Sequence, residues 1–223
     1  MSGLSMSGLS MSGLPMHPRL VSLEGGEGAG KTTVLAALRD ALMADGGEVV
    51  VTREPGGTPL AEKIRSLLLH PGDEAVAAET ELLLMFAARA QHVRATVQPA
   101  LARGAWVLCD RFTDSSYAYQ GGGRGLDPDF IADLERRVVG VRPGLTLLLD
   151  IDVAQGRARI RSRDPQPDRI ERERDAFFER VRATFLARAA AEPRRFRVVD
   201  ASRPVDDVVA AALAALRASR SGA

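Results

Sequence analysis

Gly25-Gly26-Glu27-Gly28-Ala29-Gly30-Lys31-Thr32 fits the phosphate-binding pattern G-x-x-x-x-G-K-[ST] at every position. Four glycines in eight residues let backbone N–H groups turn inward around phosphate oxygens, where side chains would block them. Lys31 is placed to reach the β- and γ-phosphates, and the Thr32 hydroxyl to reach Mg²⁺. The apolar run Leu20-Val21-Ser22-Leu23 predicts a strand before the loop, and Thr33 opens a predicted helix over 33–44. Strand, glycine loop and helix in that order set the phosphate at a helix N-terminus. The implied ligand is a nucleoside triphosphate, held by Gly25, Gly26, Glu27, Gly28, Ala29, Gly30, Lys31, Thr32 and Thr33.

Outward from the loop, strand-like and helix-like stretches alternate, which is the signature of an α/β fold with a parallel sheet covered on both faces. The predicted strands are 20–24, 48–53, 105–110, 145–150 and 196–200. Their nearly continuous Val and Leu content suits strands buried on both sides. Helices are expected over 33–44, 59–69, 79–103, 128–139, 153–161, 174–191 and 204–216. Four of the five strands end in a carboxylate, at the edge where ligands collect in such sheets.

The 223 residues are 45% hydrophobic, enough for a full core, and no apolar run reaches the roughly 18 residues of a membrane span. A net charge of +1 gives no reason to expect nucleic acid or a membrane surface as partner. Lys31 and Lys63 are the chain's only lysines, so nearly all positive charge is arginine. The single Cys109 forms no internal disulfide, suits a reducing cytoplasm and reads as a small buried strand residue. Residues 1–15 repeat the pattern Met-Ser-Gly-Leu without the basic and long apolar stretches of a secretory signal. They read as a disordered leader or a start-site artefact ahead of Met16, with one domain from 16 to 223.

Three further segments follow predicted strands. Thr52-Arg53-Glu54-Pro55-Gly56-Gly57-Thr58-Pro59 runs from a strand end through a glycine turn into a helix, so Arg53 faces the phosphate loop. Asp110-Arg111-Phe112 ends the central strand, with Asp110 placed to hold Mg²⁺ through water and Arg111 to clamp an anion. Arg157, Arg159, Arg161, Arg163 and Arg169 surround Asp164-Pro165-Gln166-Pro167-Asp168, as a closing lid over polyphosphate would need. Taken singly, an Asp-Arg pair is more often a surface ion pair and an arginine run a solvated helix face. Together with the loop they point to phosphoryl transfer between nucleotides, where Mg²⁺ and convergent Arg and Lys stabilise the transferred group. A kinase for another nucleoside monophosphate or small metabolite, and a nucleotide-switch ATPase, remain as alternatives.

Five segments in order make the chain resemble the thymidylate kinase family over about 200 residues. They are Glu24 to Thr33, Thr52 to Thr58, Leu84 to Arg89, Asp110 to Phe112, and Tyr119 to Gly125. The resemblance implies a P-loop NTPase fold with an Arg-rich lid at about 157–172. It also implies transfer of the ATP γ-phosphate to dTMP with Mg²⁺, and a homodimer. It further implies that Phe86 stacks on thymine, that Arg89 bonds a base carbonyl, and that Ser116 and Gln120 contact the base. Tyr119 would pack against the sugar, Glu27 meet its 3′-hydroxyl, and Arg53 and Arg111 clamp the dTMP phosphate. Lys31, Arg111 and Asp110 would serve catalysis. With no cation at Gly28, the transition-state arginine would come from the lid, as in the bacterial type: Arg163 first, with Arg159 and Arg161 as alternatives. Pro165 and Pro167 make that segment one residue longer than the family's pattern. His17 is read as part of the leader, and His92 as a solvated helical residue that would at most edge the base pocket.

Overall fold

The structure, a computed structural model, describes residues 13–70, 74–161 and 168–221, with only the backbone of Arg161 and Ser221. In chain order its elements are β1 (Met16–Gly25), α1 (Lys31–Ala44), β2 (Val49–Arg53), α2 (Pro59–Leu69), α3 (Ala78–His92) and α4 (Gln98–Ala102). They continue as β3 (Trp106–Asp110), α5 (Thr113–Ser116), α6 (Pro128–Leu134), β4 (Arg142–Asp150), α7 (Val153–Arg161), α8 (Asp175–Ala191), β5 (Phe196–Asp200) and α9 (Val205–Ser221).

All five strands are parallel, in the order β2-β3-β1-β4-β5. The central strand β1 sets Leu23 beside Asp110 of β3 and Leu147 of β4, so the phosphate loop leaves the sheet at its middle. One face packs Val21, Leu23, Leu147 and Leu149 against Val34, Leu38 and Leu42 of α1 and Val208, Ala212 and Leu216 of α9. The other packs Leu20, Val107 and Cys109 against Leu82 and Phe86 of α3 and Val93, Val97 and Ile131. With both faces covered, the central strands β3, β1 and β4 lose the hydrophobic-polar alternation of half-exposed sheets, whereas the edge strands β2 and β5, expected to be buried on both sides, leave Val51 and Val198 exposed.

Local chemistry sets the helix starts. Thr58 caps α2 by accepting from Ala61 N at 3.2 Å, with Pro59 at the first turn, and Asp127 caps α6 in the same way ahead of Pro128. The predicted helix over 79–103 is α3 and α4 joined by a π-helical turn, Val93–Val97, with Pro99 in the first turn of α4. β5 and α7 match their predicted bounds. β1 begins earlier than predicted and includes His17, which sits beside Pro143 rather than in the leader.

One element departs from expectation altogether. Thr113–Gly123, where no element is predicted, is helical: α5 continues through a π-helical turn, Tyr117–Gly123, packed on α8. A Cβ on Gly122 would fall 2.0 Å from Thr184 Oγ1, and one on Gly123 2.4 Å from Phe177. Close packing therefore demands the glycines that intrinsic propensity would count against a helix.

Candidate active site

The phosphate loop enters α1 through Gly30 in the left-handed region (φ 87°), and no side chain caps the helix. Its first N–H groups are thus left for a ligand. Lys31 Nζ donates to the carbonyls of Gly25 and Gly26 at 3.3 and 3.0 Å, lying back along the loop. Burial lowers the Lys31 pKa, and the Arg111 charge adds to that, against the carboxylates of Glu27, Asp110 and Glu24.

Beside the loop opens a cleft enclosing about 860 Å³ of space, its open mouth included. Its walls bring together Glu27, Lys31, Arg53, Arg89, Asp110, Arg111, Ser116, Tyr119 and Gln120, all of them expected site residues. They come from the phosphate loop and the first residue of α1, the end of β2, α3, the end of β3, α5 and the π-helical turn. The carboxyl edge of the sheet gathers them, as the strand order requires.

Arg111 is the pivot of this wall. It is the one non-glycine with positive φ (67°) among the described residues, a conformation costing about 1–3 kcal/mol and favoured at functional sites. Its guanidinium donates to Gly25 O at 3.0 Å, to Ser115 Oγ at 3.2 Å and to Glu27 Oε1, and it lies 4.9 Å from the Tyr119 ring centroid. The Tyr119 hydroxyl donates to the same Glu27 oxygen at 3.2 Å. Burial pushes Glu27 up, yet the Arg111 and Lys31 charges outweigh it and hold the carboxyl down at about 2. Behind Arg111, Glu24 is fully buried and accepts from Phe112 N at 2.7 Å and Ser115 Oγ at 2.6 Å. Burial, with the nearby Asp114 charge, pushes the Glu24 carboxyl up to about 8.

On the opposite side Arg89 is buried. Its Nε donates to Glu54 Oε2 at 2.6 Å, Nη1 to Ser116 Oγ at 2.9 Å and Nη2 to Phe112 O at 3.1 Å. Phe86 departs from its expected position at the cleft wall. It is 2% exposed, belongs to the core cluster of Leu82, Val93 and Phe112, and lies 4.7 Å beneath the Arg89 guanidinium. Its neighbour Met85 lines the cleft instead. His92 is no solvated residue either: it is completely buried, between Glu54 Oε1 at 2.8 Å and Thr52 Oγ1 at 2.7 Å. Gln120 Nε2 donates to the buried Glu81 at 2.8 Å, which also takes Arg124 and Arg169.

Arg53 is exposed at the cleft mouth and pairs with Glu62 at 3.0 Å. Of the expected lid arginines, Arg159 reaches the phosphate loop, donating to Gly28 O at 3.4 Å and Ala201 O at 3.0 Å. Arg157 instead ties α7 to α8 through Asp175 and the Glu173 carbonyl. Arg163 and the Arg161 side chain lie outside the described residues.

Thr32 is exposed at the end of the loop, and Asp110 Oδ1 is a buried acceptor with no hydrogen-bond partner among the described residues. An orphaned carboxylate oxygen at a phosphate site suits a hydrated divalent cation. Glu54, His92 and Cys109 also cluster, but both Glu54 oxygens are engaged and burial drives the Cys109 thiol well up, so this set does not suit a metal.

Sequence reasoning passed over Arg65, Met85, Glu24 and Glu54 as site residues. Arg65 lines the cleft and donates to Pro55 O at 2.9 Å. Its signal was its spacing, four residues after Ala61 and three before Leu68, both buried on the inward face of α2.

A family model described as thymidylate kinase matches residues 23–212. Thymidylate kinase of Chromohalobacter salexigens is 58% identical over 200 residues, covering 89% of this chain and 94% of that protein. That of Alcanivorax borkumensis is 57% identical over 194 residues, covering 86% and 93%. The crystal structure of thymidylate kinase from Ehrlichia chaffeensis superposes with a TM-score of 0.73 at 32% identity, covering 89% of this chain and 97% of that one. The parallel sheet with its phosphate loop is the P-loop NTPase fold that these relatives imply. By its sequence over most of its length and by its fold, this chain belongs to the thymidylate kinase family.

Proposed function

We propose that this chain transfers the γ-phosphoryl group of ATP to the phosphate of dTMP, giving dTDP and ADP. An oxygen of the acceptor phosphate attacks the γ-phosphorus while its bond to the ADP oxygen breaks. The acceptor is already ionised, so no catalytic base is needed. What carries the reading is one cleft in which Lys31, Arg53 and Arg111 converge at the phosphate loop and the Arg89 fork lies at the other end. Cations at one end and a planar donor at the other suit a nucleoside monophosphate.

In this reading the phosphate loop from Gly25 to Thr33 cradles ATP, with Lys31 on its β- and γ-phosphates. Arg53 and Arg111 clamp the dTMP phosphate, with Arg65 beside them. Glu27, ionised by its pairing with Arg111, accepts from the 3′-hydroxyl, and Tyr119 closes the sugar side. Arg89 donates to a thymine carbonyl, with Ser116 and Gln120 at the base edge. Met85 offers the cleft-facing apolar surface, and Phe86 backs Arg89 from beneath. Thr32 and Asp110 would hold Mg²⁺, which neutralises phosphate charge when bound. A lid arginine completes the charge around the transferred group: Arg163 first, then Arg159 or Arg161.

Residues 16–223 act as one nucleoside monophosphate kinase unit, with the lid at about 157–172. A homodimer is supported by exposed Leu60 and Leu67 on α2 and Leu83 on α3, two helices that pack together. The reading is tested by incubating the protein with ATP, Mg²⁺ and dTMP and identifying the products. Stoichiometric dTDP and ADP are expected, abolished by Lys31→Ala. ADP and free phosphate without dTDP would overturn it.

A further inference from the structure

We propose that His92 and Glu54 are positioning residues that hold the Arg89 fork in place for the acceptor base, and so contribute to base selectivity. The proposal rests on the reading of Arg89 as the base-binding residue.

Arg89 and His92 stand three residues apart on α3, a spacing that places both on one helix face. Glu54, just beyond β2, reaches both: Oε2 accepts from Arg89 Nε at 2.6 Å, and Oε1 from His92 Nδ1 at 2.8 Å. An ionised carboxylate only accepts, so Nδ1 carries the proton, and His92 Nε2 meets the Thr52 hydroxyl at 2.7 Å. Burial works to raise the Glu54 pKa, but the Arg89 charge and the His92 hydrogen bond hold it below its usual value. Each carboxylate oxygen is therefore committed to one partner, and the three side chains are almost wholly inaccessible to solvent.

Arg89 is fixed from its other side by Ser116 Oγ and the Phe112 carbonyl. An arginine offers five N–H donors, and these three bonds leave two of them to read a ligand. Their direction depends on the Nε anchor. His92 is in turn packed against Gly57, whose φ of +81° suits glycine and whose Cβ, if present, would lie 2.5 Å from the imidazole Cδ2. The Thr96 hydroxyl donates to the Gly57 carbonyl at 3.1 Å and holds that turn in place. Removing His92 leaves one buried carboxylate oxygen unpaired, and Glu54 then regains freedom to rotate away from Arg89.

Steady-state kinetics on the full chain test this, with dTMP and dCMP as alternative acceptors and thermal melting as the folding control. His92→Ala is expected to raise the KM for dTMP about tenfold, leave the KM for ATP unchanged and lower the dTMP-over-dCMP preference by a similar factor. His92→Asn, whose amide can replace the Nδ1 donor, should retain most of that preference. Glu54→Gln should resemble His92→Ala. Unchanged dTMP KM and preference in folded His92→Ala would overturn the proposal, as would a parallel loss for ATP and dTMP in all three variants. If the unaltered protein itself does not prefer dTMP, the underlying reading of Arg89 fails, and that outcome is visible before any variant is compared.

Discussion

Gly28 of the phosphate loop and Gly156 of α7 face each other so closely that neither has room for a Cβ. A Cβ at Gly28 would lie 2.2 Å from the Gly156 carbonyl oxygen, and one at Gly156 would lie 2.5 Å from the Glu27 carbonyl oxygen. The loop is thus seated on the start of α7, in backbone contact that no side chain can relieve. A basic residue at position 28 is sterically excluded, so in the proposed reaction a further cation near the transferred phosphate would come from the lid.

Gly156→Ala is therefore expected to push the phosphate loop out of place. Overpacking of this kind costs about 1–3 kcal/mol. The KM for ATP should rise more than the KM for dTMP, with a lowered melting temperature. Unchanged stability and ATP kinetics would contradict the seating of the phosphate loop on α7.

Replacing Arg163 with Ala should cut kcat a hundredfold or more, on the order of 3 kcal/mol of transition-state stabilisation, with little change in dTMP affinity. If its rate holds while Arg159→Ala loses rate, the role belongs to Arg159, whose guanidinium already reaches the Gly28 carbonyl.

Met85 and Phe86 should separate cleanly. Met85→Ala is expected to weaken dTMP binding with little loss of stability. Phe86→Ala removes a buried ring and should cost about 3–5 kcal/mol of folding stability. Titration calorimetry with dTMP, together with chemical denaturation, distinguishes them. A stable Phe86→Ala that specifically loses dTMP would return the stacking role to Phe86.

Glu24 gives the stability a pH dependence of definite sign. Its folded pKa of about 8 lies above its ordinary 4.5, so the folded state binds the proton more tightly than the unfolded chain. Its contribution is fully present below about 4.5 and is lost as pH rises through about 8. Denaturation midpoints should fall across that window, and Glu24→Gln should flatten the slope. A variant with the same slope as the unaltered protein would remove Glu24 as its source.

Much of this site was legible because its chemistry is local. The phosphate loop carries its own glycines and lysine, and Arg53 ends β2 while Arg111 follows β3, both at the carboxyl edge that borders the ligand. The long-range pairings left no comparable trace. Glu54 meets His92 across 38 residues, and Asp114 lies between Arg188 and Arg195 of a distant segment. The helix at Tyr117–Gly123 was hidden because packing against Thr184 and Phe177, rather than propensity, decides it. Which of Met85 and Phe86 lines the cleft was not legible either, because neighbours on a helix are about 100° apart and one residue separates cleft-facing Met85 from buried Phe86.

The most direct test of the account is ADP release from ATP and Mg²⁺ with dTMP, dUMP, dCMP, AMP, GMP, UMP and CMP offered separately. Strong preference for dTMP and negligible turnover without an acceptor are expected. Preference for another monophosphate would contradict the base site built on Arg89, and slow hydrolysis indifferent to the acceptor would contradict phosphoryl transfer itself.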